Sequence, residues 1–223
     1  MRRTRTSRPA SEDGSERTRD RERTKAKIVV AATELFTKLG PTGASLDDIS
    51  KKAGVQRGLI YHYFKTKDAL FDQVLARPFT DFLESHLEFL RVGTLDVNGL
   101  CEATSGFFRF LARHPELVRL LGWVMAMRHA LRDLPQLEIT RALIARTLAR
   151  IEEARAAGAL RADVNPAHLL ISIIDLSVAW FLTRDEWTEK LGWTERDAGQ
   201  LDEERLAAIL DLVRAAARPP AAG

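Results

Sequence analysis

The sequence has almost no cysteine: Cys101 stands alone among 223 residues. A lone thiol excludes an intrachain disulfide and any zinc site built from cysteines, and nothing points to an oxidising compartment. No run approaches the ~18 uninterrupted apolar residues of a membrane span. The Arg-rich N-terminus lacks the apolar core of a signal peptide. These absences predict a soluble, intracellular chain in the cytoplasm. The motifs of common enzymes are missing too: there is no Gly-rich phosphate loop, no HExxH and no GxSxG elbow. His86, His114, His129 and His168 are too far apart to pair as ligands on one helix, and His114 sits at a His-Pro boundary. Cys101 reads as a small buried residue. Neither a catalytic residue, a metal nor a cofactor is therefore expected. No stretch alternates apolar and polar β-branched residues long enough to argue for a sheet.

What is present is helix after helix, without an internal repeat. Hydrophobic residues make up 45% of the chain, too many for wholesale disorder. The length suits one large domain or two small ones. Charge is uneven: residues 1–70 carry 16 Lys/Arg and 9 Asp/Glu, whereas residues 71–223 carry 18 and 22. A basic front on an acidic back suggests either a polyanion binder at the N-terminus or a solubilising basic tail.

Residues 1–20 are Arg, Ser, Thr and acids without apolar periodicity and read as a disordered arm. Ile28, Ala31, Ala32, Leu35, Phe36 and Leu39 then form one apolar stripe on a helix from near residue 22 to Gly40-Pro41. Ser45 and Asp48 have capping-box spacing, opening a short helix with Leu46, Ile49 and Ala53 inward and Gly54 at its end. A second short helix runs from Gln56 to Phe64, with Leu59 and Tyr63 or Phe64 inward. Thr66 caps the next helix, which continues through Leu70, Phe71, Val74 and Leu75 towards Pro78. Further helices are predicted over 78–91, 98–113, 115–131, 135–157, 166–183 and 201–217; Asn165-Pro166 is an N-cap followed by a first-turn proline. The pattern leaves residues 184–200 unassigned.

Two short helices joined by Ala53-Gly54-Val55 have the form of a helix-turn-helix, or of a generic helical hairpin with polar residues in water. In the first case the leading end of the second helix, Gln56, Arg57 and Gly58, enters the DNA major groove. Arg pairs bidentately with guanine and Gln with adenine, and Gly58 has no side chain to hold the helix off the duplex. Tyr61, His62, Tyr63 and Phe64 cannot all face the core, because successive helical positions lie ~100° apart. Tyr61 and His62 are thereby left exposed, suited to phosphate oxygens. Lys67, in the first turn after Thr66, is another candidate for phosphate, or an ordinary surface lysine. Residues 1–27 hold ten Lys/Arg and five acids, an arm able to add phosphate or minor-groove contacts.

The stretch Ser45 to Leu75, with Ser45, Ala53-Gly54-Val55, Gly58, Tyr61-His62-Tyr63-Phe64, Lys67 and Leu70, resembles the DNA-binding domain of the TetR (tetracycline-repressor-like) family. The likeness covers residues 24–75. It departs at Gln56, where the family usually has a capping Ser or Thr. The resemblance implies an all-α homodimeric transcriptional regulator, usually a repressor, bound to a palindromic double-stranded operator and therefore to the nucleoid. A small molecule in the C-terminal domain would shift two recognition helices set ~34 Å apart. DNA contacts are expected from Gln56, Arg57, Gly58, Tyr61 and His62 in the groove and from Ser45, Tyr63 and Lys67 at the backbone. The implied layout is a basic arm (1–20), a helix-turn-helix unit (21–68), a helical effector and dimerisation unit (69–218) and a flexible tail (219–223).

In the C-terminal half, helix 166–183 is apolar over most of its circumference, which requires burial on two sides. A second subunit could supply one of them, or both helices could be central in a monomer. The expected dimer interface is Leu169, Ile173, Leu176 and Trp180 with Leu206, Ile209, Leu210 and Val213. Phe107, Phe110, Trp123, Met127 and Trp180 are candidates to line a pocket for a moderately hydrophobic effector, with His86, Arg128 and Asp175 supplying polarity. The rival to DNA-dependent regulation is a scaffold whose basic tail binds membranes or proteins.

Overall fold

A computed structural model describes the backbone of residues 11–76, 95–126 and 135–220, and side chains from residue 18 onward except 135–140. The expected helix 78–91 and the candidates His86, Met127 and Arg128 lie outside the described residues. Every regular element among the described residues is an α-helix: α1 (Ser11–Gly43), α2 (Leu46–Ala53), α3 (Arg57–Phe64), α4 (67–76 as described), α5 (Val97–Arg113), α6 (Pro115–Ala126), α7 (Pro135–Ala156), α8 (Pro166–Lys190) and α9 (Ala198–Ala217). The chain divides into two compact units between Val74 and Leu75.

In the first unit, α1 begins at Ser11 rather than near residue 22, so residues 11–20 are helical where a disordered arm was expected. Arg and Glu are good helix formers, and propensity can carry a polar helix past its apolar stripe. The predicted stop at Gly40-Pro41 is a break in the helical run: Gly40 has φ 73, ψ 167, a left-handed conformation that glycine adopts without a Cβ clash. Ile28, Val29, Ala31, Ala32 and Phe36 are buried, Leu35 is half-buried and Leu39 is exposed. Phe36 meets Phe71 of α4 edge-to-face at 5.2 Å. Ile49, Ile60, Phe64 and Leu70 complete this core.

In the second unit, α8 packs against α5, α6, α7 and α9, and α5 packs on α9. Its core includes Cys101, Phe108, Ile151, Leu160, Trp180, Leu206 and Ile209. Gly122 lets α6 approach α8 closely; a Cβ there would lie 2.8 Å from Leu182. By length and composition α8 is also the one described helix apolar enough to cross a membrane, which an uninterrupted-run criterion misses because Asp175 splits the run. It absorbs part of 184–200: it runs seven residues past the expected end, and Asp197 caps α9 by accepting from Gln200 N at 2.8 Å.

Candidate nucleic-acid interface

The helix pair is built by local chemistry. Ser45 accepts from Asp48 N at 3.1 Å and donates its hydroxyl to Asp48 Oδ2 at 2.5 Å, which opens α2. Gly54 ends it in the left-handed region (φ 66, ψ 36), and Val55 N donates back to Ser50 O at 3.0 Å. Gln56 then starts α3 in extended conformation without a side-chain cap, the consequence of having no Ser or Thr there. α3 closes at Lys65, whose φ 63 and ψ −49 with Thr66 N donating to Phe64 O at 2.7 Å make a strained γ-turn. Thr66 caps α4 by accepting from Ala69 N at 3.0 Å.

Two faces of α3 separate cleanly. Ile60 and Phe64 are buried, four residues apart on one stripe, while Leu59 and Tyr63 are only half-buried. Ile60 is therefore the principal inward residue, where sequence periodicity favoured Leu59. Gln56, Arg57, Gly58, Tyr61 and His62 are all exposed. A Cβ added at Gly58 meets nothing within 4 Å. His62 packs its ring edge-to-face with Tyr63 at 5.4 Å. Lys67 is half-buried and its Nζ reaches Ala44 O at 3.4 Å, beside Ser45. Arg57 donates from Nη1 to both oxygens of Asp47 (2.9 and 3.1 Å) and from Nη2 to the Tyr61 hydroxyl (3.1 Å). The Tyr61 hydrogen bond and the Asp47 charge both raise the Arg57 pKa, so the guanidinium stays charged. Sequence reading gave Asp47 no role at this surface. Its signal was available: a carboxylate in the first turn of α2 faces the first turn of α3 once a tight turn folds the helices together.

The expected effector residues that are described lie on α5, α6 and α8. Phe110 is buried with its ring 4.4 Å from His114; Phe107 and Trp123 are half-buried; Asp175 is exposed on α8. Trp180 is buried, donates Nε1–H to Asp202 at 2.8 Å, and borders a cleft between α8 and α9 with Ala179, Trp187 and Ala208.

The expected interface residues lie along α8 and α9. Leu169, Ile173, Trp180, Leu206, Ile209 and Val213 are already buried within their own unit, and Leu176 and Leu210 are partly buried against the same core. Leu169, Ile173, Leu176 and Val213 still edge an open furrow between α8 and α9, and Trp180 edges the cleft further along the same two helices. With apolar residues around most of α8, periodicity could not say which face turned inward. The exposed apolar residues are others, among them Ile171 and Leu212. Among the described residues no group of His, Cys, Asp and Glu could hold a metal ion.

Comparison with known proteins fits this geometry. Residues 28–74 match the family described as bacterial regulatory proteins, tetR family, and residues 100–218 match its tetracyclin repressor-like C-terminal domain. The helix-turn-helix-type transcriptional repressor SCO4008 of Streptomyces coelicolor is 32% identical over 162 residues, 73% of this chain and 80% of that protein. Among solved structures, the Streptomyces coelicolor protein SCO4942 superposes with TM-score 0.67 at 25% identity over 88% of this chain and 99% of its own. Bacillus subtilis FadR, solved with stearoyl-CoA, shares the fold at TM-score 0.59 and 20% identity over 83% of this chain and 97% of its own. These relatives are transcriptional regulators, not enzymes, and the matches favour DNA-dependent regulation over a scaffold with a basic tail. Two family matches, one on the helix-turn-helix and one spanning more than half of the chain, make this protein a DNA-binding transcriptional regulator of the tetR family.

Proposed function

We propose that the chain works in the cytoplasm as a homodimeric repressor that inserts α3 into the major groove of a palindromic operator and lets go when a moderately hydrophobic small molecule binds the second unit. One observation carries the DNA assignment: the leading end of α3 is bare while its trailing end is anchored through Ile60 and Phe64. Gln56, Arg57, Gly58, Tyr61 and His62 approach the major groove, and Ser45, Tyr63 and Lys67 approach the DNA backbone. The Lys67 ammonium has three protons, so its long hydrogen bond to Ala44 O leaves donors for DNA. The basic segment 1–27 engages further phosphates, and its deletion lowers the salt slope of binding by about one unit for each phosphate it had neutralised.

Dimerisation is assigned to the furrow between α8 and α9. Small residues, Ser172, Ala179, Ala208 and Ala216, line it beside the exposed Leu212 and permit close helix approach. The effector assignment draws on Phe107, Trp123 and neighbouring apolar side chains, and on the acyl-CoA seen in the FadR structure. Ligand binding represses or releases only through a difference in affinity between the two conformations.

Selection of bound duplexes from a random pool tests the reading. A palindrome is expected, with Arg57→Ala relaxing preference at one base pair per half-site and Lys67→Ala weakening all sequences alike. Parallel losses for both variants across all operators remove base reading from Arg57. Release of DNA by charged sugars or metal ions alone removes the hydrophobic effector.

A further inference from the structure

Arg57 and Asp47 meet across the turn between α2 and α3, ten residues apart in sequence. Both side chains are about half exposed, 50% and 55%, and Tyr61, one turn along α3, closes the group. The guanidinium carbon stands 5.5 Å from the Tyr61 ring centroid while Nη2 donates to the hydroxyl of the same ring. An arginine alone at an exposed helix end samples many rotamers. Here its flat fork is held on two sides, by the carboxylate at Nη1 and by the phenol at Nη2. Nε–H and one Nη2–H remain for a base edge, and the Tyr61 proton remains for a phosphate.

A carboxylate at a surface that meets DNA is unfavourable for affinity, because it faces phosphates of its own sign. What it can add is orientation, which matters for a donor pair that must match two acceptors on guanine at once. Asp47 also sits in the first turn of α2, where a negative charge favours the helix end. Orientation and helix stabilisation have different readouts.

We propose that Asp47 is a positioning residue that sets specificity: together with Tyr61 it holds Arg57 in one orientation, and discrimination at the base pair Arg57 reads depends on this carboxylate of the preceding helix. The inference rests on the reading that α3 enters the major groove.

The test uses the full chain, its selected operator, and duplexes carrying every single base-pair change in one half-site, at one salt concentration. Asp47→Asn is expected to keep the melting temperature, to bind unrelated duplex more tightly, and to lose about five-fold or more of the discrimination at the Arg57 position only. Arg57→Ala with and without Asp47→Asn should show equal discrimination, because the two residues act as one. Tyr61→Phe, which removes only the hydroxyl, should lose part of the same discrimination, and it carries the test if Asp47→Asn fails to fold. An equal affinity shift on all duplexes, or a lower melting temperature with discrimination intact, overturns the proposal. So does a further loss of discrimination when Asp47→Asn is added to Arg57→Ala. A chain that binds no duplex removes the groove reading and this inference with it; an Arg57→Ala variant that discriminates fully removes base reading from Arg57, and with it this inference alone.

Discussion

Each unit of the molecule holds an arginine against an aspartate. In the first, Arg57 and Asp47 pair at the exposed tip of the helix-turn-helix. In the second, Arg184 Nη1 donates to both oxygens of Asp202 at 3.0 and 2.9 Å, Asp202 also accepts from the Trp180 indole, and its side chain is only 17% exposed. The chemistry is the same and the surroundings differ. Water competes for the exposed pair, so losing it costs the fold little. The shielded pair ties α8 to α9, and removing one member leaves the other partly shielded from solvent without it. The Arg57–Asp47 pair is available for recognition; the Arg184–Asp202 pair holds helices together.

Breaking the shielded pair should have the largest effect. Asp202→Ala removes the shielded charge partner of Arg184, leaving it, among the described residues, only the exposed Asp185, and removes the acceptor of Trp180; it should lower unfolding free energy by ~2–4 kcal/mol in urea titrations. Asp47→Asn in the same titration should leave the midpoint unchanged. Equal losses in both would erase the contrast. Gly54→Val comes next: a β-branched residue forced to φ 66 costs roughly 2 kcal/mol, and a lower melting temperature should accompany lost operator binding because the turn orients α3.

Asp72 sharpens the comparison from the other side, as a half-buried carboxyl that, among the described residues, has a like charge nearby instead of a partner. Burial, and then Asp68, push its pKa up to about 6 from the ordinary 3.8. Between those values the folded chain holds more protons than the unfolded one, so stability falls as pH rises through the window and stays lower above it. Asp72→Asn should therefore raise the melting temperature at pH 7 by a few degrees, with the gain vanishing near pH 4; a gain independent of pH would exclude titration as its cause. Smallest is Gly58→Ala. With open space around the new Cβ it should add up to ~1 kcal/mol of stability while weakening operator binding, since the methyl points where the duplex must come. A tighter-binding variant would place α3 differently on DNA.

Much of this was legible beforehand where the information is local. The Ser45 cap, the Gly54 turn and the Asn165-Pro166 start each depend on a few neighbouring residues, and the structure shows them with hydrogen bonds to match. The bare end of α3 was also readable, because Gln56, Arg57 and Gly58 have no apolar side chain to bury. The extent of α1 and α8 was not, since polar residues of good helix propensity carry no periodic mark. Nor was the inward face of α8, where Leu169 and Ile173 turn to the core while Ile171 stays exposed.

By itself, then, the amino-acid order determined an all-helical chain with a helix pair opened by the Ser45 cap and an exposed polar front on its second helix, because caps, turns and stripes are set by residues a few positions apart. Only the tertiary structure decided which apolar side chains of α8 and α9 are consumed inside the subunit, and that Asp47 grips Arg57. Both depend on how helices distant in sequence rotate and approach, and a pattern along one helix holds no record of its neighbour.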